Sequence, residues 1–118
     1  EERLVAPDAF EALAEGRTLH FSLDGVPFGS ERFYSGRRSL WRFAGDGTCA
    51  EGVWHARGEE ICFVYPGPKV GPICWRFLRE GEGYAARLVE GGAETGFRLV
   101  LEAMDDARLA CPGPEVGS

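Results

Sequence analysis

The spacing of apolar residues changes period near Gly16, dividing the chain into a short helical segment and a long β region. Before that point Phe10, Leu13 and Ala14 fall on one helical face. Asp8-Ala9-Phe10-Glu11 has the form of a capping box, with the Asp8 carboxylate on the Glu11 amide and Glu11 reaching back. The pattern predicts a helix over 7–15 that stops at Gly16. Two turns do not persist alone in water, so this helix must pack against a sheet or close the end of a barrel.

After Gly16 the period becomes two. Leu19, Phe21 and Leu23 alternate with Thr18, His20 and Ser22, which predicts a half-buried strand turning at Asp24-Gly25. Similar runs follow at 28–35, Leu40–Phe43, Cys49–Ala56, Ile61–Tyr65, Ile73–Arg79, Tyr84–Glu90 and Thr95–Glu102. Glycine-bearing turns separate most of them. Three prolines exclude regular structure from the loop Pro66–Pro72, because each removes a ladder donor. Residues 105–118 form a polar, then Pro- and Gly-rich tail.

Eight short strands over 17–102, spaced about ten residues apart, predict a single all-β domain spanning 1–118. A meander of that length removes its open edges by closing into an antiparallel up-and-down barrel. Such a barrel is filled by side chains or holds one small ligand. A two-sheet sandwich is the alternative, but long crossover connections are not evident.

Composition narrows the function classes. The 118 residues carry a formal charge of −6, which argues against a nucleic-acid partner. Glycine, at 17 residues, argues against a helical bundle. No apolar run approaches the roughly 20 residues of a membrane-crossing helix. Four cysteines at 49, 62, 74 and 111 include no close pair, so zinc is disfavoured and two disulfides in an oxidising compartment are expected. Three pairings are possible. The preferred one joins Cys62 to Cys74 across a hairpin and leaves Cys49 with Cys111 to staple the tail. The start of the chain is compatible with a mature end after removal of an export signal.

Candidate chemistry is sparse. His20 shares a strand face with Thr18 and Ser22, but no carboxylate is placed nearby in sequence to orient it, so a solvated or hydrogen-bonded imidazole is expected. Cys49, Glu51 and His55 share a face without a second ligand cluster, and no metal site is expected.

The aromatics say more. Trp41, Trp54 and Trp75 lie in different strands with Phe63 between them in sequence, and Ala50, Gly52, Trp54 and Ala56 mix small and large residues as a barrel interior requires. They serve core packing, or line a pocket at the barrel mouth. Mid-strand arginines in an acidic chain pair across strands on the outer face. Arg42 and Arg76, beside Trp41 and Trp75, would suit a carboxylate or phosphate ligand if they turned inward.

Asp24-Gly25 with Phe28-Gly29 and Glu31, Gly47 with Cys49, Gly52-Val53-Trp54, Cys62-Phe63 with Tyr65, and Cys74-Trp75 together resemble small exported proteins of proteobacteria. The resemblance spans roughly residues 16–90. It implies a periplasmic, disulfide-bearing β protein and implies no reaction. Gly52-Val53-Trp54 is also similar to the G-x-W element of lipocalin-type barrels, which there lies near the first strand.

The expected function is a non-enzymatic periplasmic or secreted binding protein, without a cofactor, holding a small apolar or amphipathic ligand. Trp41, Trp54, Trp75, Phe63, Arg42 and Arg76 are its pocket candidates. The alternative is a protein–protein module, such as a periplasmic hydrolase inhibitor. It would present Pro66, Pro68, Lys69 and Pro72 on a loop stapled at its base to a basic partner.

Overall fold

The computed structural model describes residues 2–67 and 71–111. It contains β1 (Glu2–Leu4), α1 (Pro7–Ala14), β2 (Thr18–Leu23), β3 (Val26–Tyr34), β4 (Arg38–Phe43), β5 (Ala50–Arg57), β6 (Glu60–Val64), β7 (Ile73–Glu80), β8 (Gly83–Glu90) and β9 (Ala93–Asp105). Each of β2 to β8 pairs antiparallel with the next strand, and β9 returns to pair with β2. The meander therefore closes into the eight-stranded barrel expected from its rhythm, and the sandwich is set aside.

Closure depends on local chemistry. Asp24 and Gly25 both adopt positive φ, 51° and 83°, as a tight two-residue hairpin turn requires. The ladder shifts register between Phe21 and Ser22 against β3, and between His20 and Phe21 against β9. Such bulges bend a strand and strengthen its twist, which lets a sheet curl onto itself.

The additional strand is β1. It pairs with Leu78–Glu80 of β7, on the edge that β6 leaves uncovered beyond its own pairing with Ile73–Trp75. Three residues carry too little periodicity to be seen in sequence. Glu2 on this strand meets Arg87 of β8, which also meets Glu80 at 2.8 Å.

The helix forms where expected, but not by a capping box. Ala6 is the N-cap and Pro7 opens the first turn, where its missing N–H costs nothing. Asp8 and Glu11 turn instead to Arg37, at 3.3 and 2.9 Å. The Arg37 guanidinium lies 4.3 Å from the centre of the Trp54 ring, so cation, ring and both carboxylates clamp α1 over one end of the barrel. Phe10 enters the barrel there and meets Phe33, Trp54 and Phe77 edge-on, at 5.3, 5.5 and 4.9 Å.

Both disulfides have the preferred pairing, Cys62–Cys74 and Cys49–Cys111. Cys62 and Cys74 are directly opposed on β6 and β7. Their side chains form a small buried cluster with Val89. Cys111 draws the chain after β9 back along the barrel wall. On the way Thr18 Oγ1 donates to the Ala107 carbonyl at 2.6 Å, and Arg42 Nη1 donates to the Ala110 carbonyl at 2.9 Å. Two disulfides are consistent with an exported protein. Among the described residues, no helix is long and apolar enough to cross a membrane.

Candidate functional site: an aromatic cavity with one buried carboxyl

Strand alternation sends one residue in two inward, and these residues do not fill the barrel. They surround a cavity of about 410 Å³. Phe10 and its ring contacts form the floor. The opposite end carries a second aromatic group, in which Phe28 meets Trp41, Phe43 and Phe97 at 6.0, 5.6 and 5.8 Å. Trp75 joins Phe97 at 6.1 Å. Phe43 is half exposed and stands at the open end.

Glu31 lies between the two aromatic groups. On β3 the inward positions run Gly29, Glu31, Phe33, from the open end to the floor, so Glu31 sits at mid-depth. It pairs with Leu19 on one side and Trp41 on the other. Only 4% of its surface is exposed. The Tyr65 hydroxyl donates to both carboxylate oxygens, at 3.0 Å to Oε1 and 2.7 Å to Oε2. Burial pushes the Glu31 carboxyl up to about 7, against the opposing pull of the Tyr65 and Ser39 hydroxyls. Burial and the neighbouring carboxylate hold the Tyr65 phenol far above its ordinary range, so it remains a donor. Ser39 Oγ is buried in the same wall and makes no hydrogen bond of regular geometry.

Two glycines make room for this arrangement. A Cβ on Gly52 would lie 2.7 Å from the Tyr65 ring, so the ring reaches Glu31 only because β5 has no side chain there. A Cβ on Gly29 would overlap the Trp41 ring and lie 2.9 Å from the Arg42 carbonyl. Gly29→Ala is therefore expected to displace Trp41 and to destabilise the fold by about 1–3 kcal/mol. A shifted tryptophan emission together with a lowered denaturation midpoint is the expected result; an unchanged spectrum would contradict this packing.

Among the sequence candidates, Trp41, Trp75 and Phe63 line the cavity. Trp54 is buried at the floor, between Phe10 and the Arg37 guanidinium. Gly52-Val53-Trp54 thus places a close-approach glycine and a floor tryptophan two residues apart. Arg42 and Arg76 stand on the outer face. Arg42 Nε donates to the Asp46 carbonyl at 2.6 Å, while Arg76 meets Glu94 at 3.3 Å and Glu60 at 3.9 Å. Each is one residue out of phase with its inward tryptophan, and on the outer face Arg42 finds backbone carbonyls and Arg76 finds carboxylates. Pro66 and Pro72 are exposed on the loop that the Cys62–Cys74 bridge closes, and Pro68 and Lys69 lie outside the described residues.

Glu31 does not stand out as a site residue in the sequence. Phe28 and Phe33, which mark its strand, have opposite parity and leave the inward face undecided. The bulge opposite Phe21 and Ser22 resolves this, because Phe21 pairs with Gly29 and Ser22 with Pro27, leaving Phe28 unopposed. Once Phe33 fixes the phase, a glutamate in an inward slot is the available signal.

His20 acquires a carboxylate after all. Ser30 Oγ lies 2.7 Å from Nδ1 and Asp105 Oδ2 lies 2.9 Å from Nε2. The Ala107 N–H and the imidazole hold the Asp105 carboxyl below its usual range. The group sits on the outer barrel face, apart from the cavity. Ser30 pairs with His20 and Arg42 in the ladders, an arrangement that commits backbone donors to strand pairing rather than to an oxyanion. Glu60 lies close to the Cys62 and Cys74 sulfurs, but those sulfurs are bonded to each other and offer no thiolate to a metal.

No known protein family, curated protein or solved structure matches this chain.

Proposed function

We propose that the protein is a non-enzymatic periplasmic or secreted binding protein that carries a small apolar or amphipathic molecule in its barrel. The observation that supports this reading is the cavity of about 410 Å³, walled by aromatic and aliphatic side chains and closed at one end by α1. Small-molecule sites are concave and mostly apolar, with a few placed polar groups, and Glu31 with Tyr65 meets that description.

Titration with a neutral apolar fluorophore, N-phenyl-1-naphthylamine, tests it. Binding should raise the probe's emission and quench Trp41 and Trp75, which line the cavity. Ala50 lines the cavity beside Trp41, its partner in the β4–β5 ladder. Ala50→Phe should therefore weaken binding by about tenfold or more, by occupying ligand volume. Probe binding that Ala50→Phe leaves intact would place the probe elsewhere and overturn the reading.

The second reading, a module for a basic protein partner, rests on the Cys62–Cys74 bridge at the base of the 66–72 loop. Replacing that loop would abolish partner capture under this reading and leave fluorophore binding unchanged.

A further inference from the structure

Resting on the carrier reading, we infer that the molecule held in the cavity is a small hydrophobic amine, its ammonium group against the Glu31 carboxylate and its apolar body among the rings of the open end. Four features of the cavity lead there.

First, the polarity of the wall is one-sided. Tyr65 is the other titratable residue lining the cavity with Glu31, and no lysine, arginine or histidine lines it among the described residues. Arg38 and Glu51 line a second groove, which shares Tyr65 with the cavity, and neither lines the cavity itself. An anionic ligand would meet an uncompensated carboxyl in a low-dielectric site, whereas a cation would neutralise it.

Second, the carboxylate is under-satisfied. Two oxygens offer about four acceptor positions; the single Tyr65 O–H is shared between them, and the Ser39 hydroxyl is the other protein donor beside them. An ammonium brings up to three donors to the remaining positions.

Third, the rings that a cation must pass are of the right kind. Trp41, Phe28, Phe43 and Phe97 surround the open end. Their faces attract a cation, where an anion would be repelled. An aromatic or branched aliphatic body can then pack edge-on against the same rings once the head has reached Glu31.

Fourth, the carboxyl is poised to respond. Burial holds it near neutrality, so a bound cation tips it to the ionised form and releases a proton.

Three ligands of one shape separate the possibilities: 2-phenylethylamine, 2-phenylethanol and 3-phenylpropionate, titrated calorimetrically into the intact disulfide-bonded protein. At about pH 8 the amine should bind at least about tenfold more tightly than the alcohol, and the propionate most weakly. The amine's advantage should shrink about tenfold or more on going to about pH 5.5, where Glu31 is protonated, while the alcohol's affinity stays level. Near neutrality the amine's apparent enthalpy should vary with the buffer's ionisation enthalpy, reporting the released proton. Glu31→Gln should reduce the amine to the alcohol's affinity and leave the alcohol within about threefold. Should that variant fail to fold, the pH series on the native chain gives the same decision.

An amine no tighter than the alcohol, or a preference that survives Glu31→Gln, overturns the inference and leaves the carrier reading in place. Tightest binding by the propionate also overturns it, since it would mean a shared proton between two carboxyls. Fluorophore binding with none of the three ligands binding overturns the amine class alone. Failure of fluorophore and ligands together overturns both readings.

Discussion

Phe10→Ala is expected to destabilise the protein by about 3–5 kcal/mol and to lower the Tm by more than about 10 °C. The side chain is 3% exposed and is the single aromatic that α1 sends into the barrel. Its ring touches three others, from β3, β5 and β7. Truncation removes these edge contacts and extends the cavity into the floor, where the backbone of the closed barrel cannot collapse to refill it. The helix is only 8 residues long and depends on this burial, since so short a helix does not hold its shape unaided. Chemical denaturation measures the loss. A cost below about 1 kcal/mol would show that the helix is not held by packing on the barrel.

Glu31→Gln should remove a pH-dependent loss of stability of about 3 kcal/mol. The folded carboxyl titrates near 7, above its ordinary value of 4.5, because burial disfavours the charge. Between those two values the folded chain holds a proton that the unfolded chain has released. Stability from this group is therefore complete below about pH 4.5, falls as pH rises through about 7, and is level above that. Glu80 acts in the opposite direction. Hydrogen bonds first from Arg98, then from Arg87, hold its carboxyl low, and its contribution is lost as pH falls. The informative quantity is thus the difference between native and variant denaturation free energies across pH. It should change by about 3 kcal/mol between about pH 4.5 and 8. A flat difference would mean that Glu31 ionises as if in water, and the buried site would be misplaced.

The two predictions act at places of very different visibility in the amino-acid order. Phe10 belongs to a three-residue helical face that stands out where the period changes. Glu31 lies between phenylalanines of opposite parity, and only the bulge in the β2–β3 ladder shows which one faces in. His20 illustrates the same limit. Its serine is the residue across the ladder and its carboxylate arrives 85 positions later on β9, so neither is a neighbour in the chain. Arg42 and Arg76 differ again: the side they face was implicit in their being adjacent to inward tryptophans.

Alternation of apolar positions, Gly-bearing turns and the helical face at Phe10 are local, and they were sufficient for the helix, for eight barrel strands and for the up-and-down order. Cysteine spacing was sufficient to prefer the pairing across the hairpin. These features need only the backbone's own periodicity and the entropy of closing short loops. Whether the interior is solid or hollow could not be local, because it depends on how eight inward faces sum around a closed ring. The short β1 also needed its partner, since three residues have no pattern of their own. So did the meeting of Tyr65 with Glu31 across Gly52, in which one missing side chain lets a phenol on the far side of β5 reach a carboxyl on β3. Burial there raises the carboxyl toward neutrality, and burial is a property of the closed barrel alone.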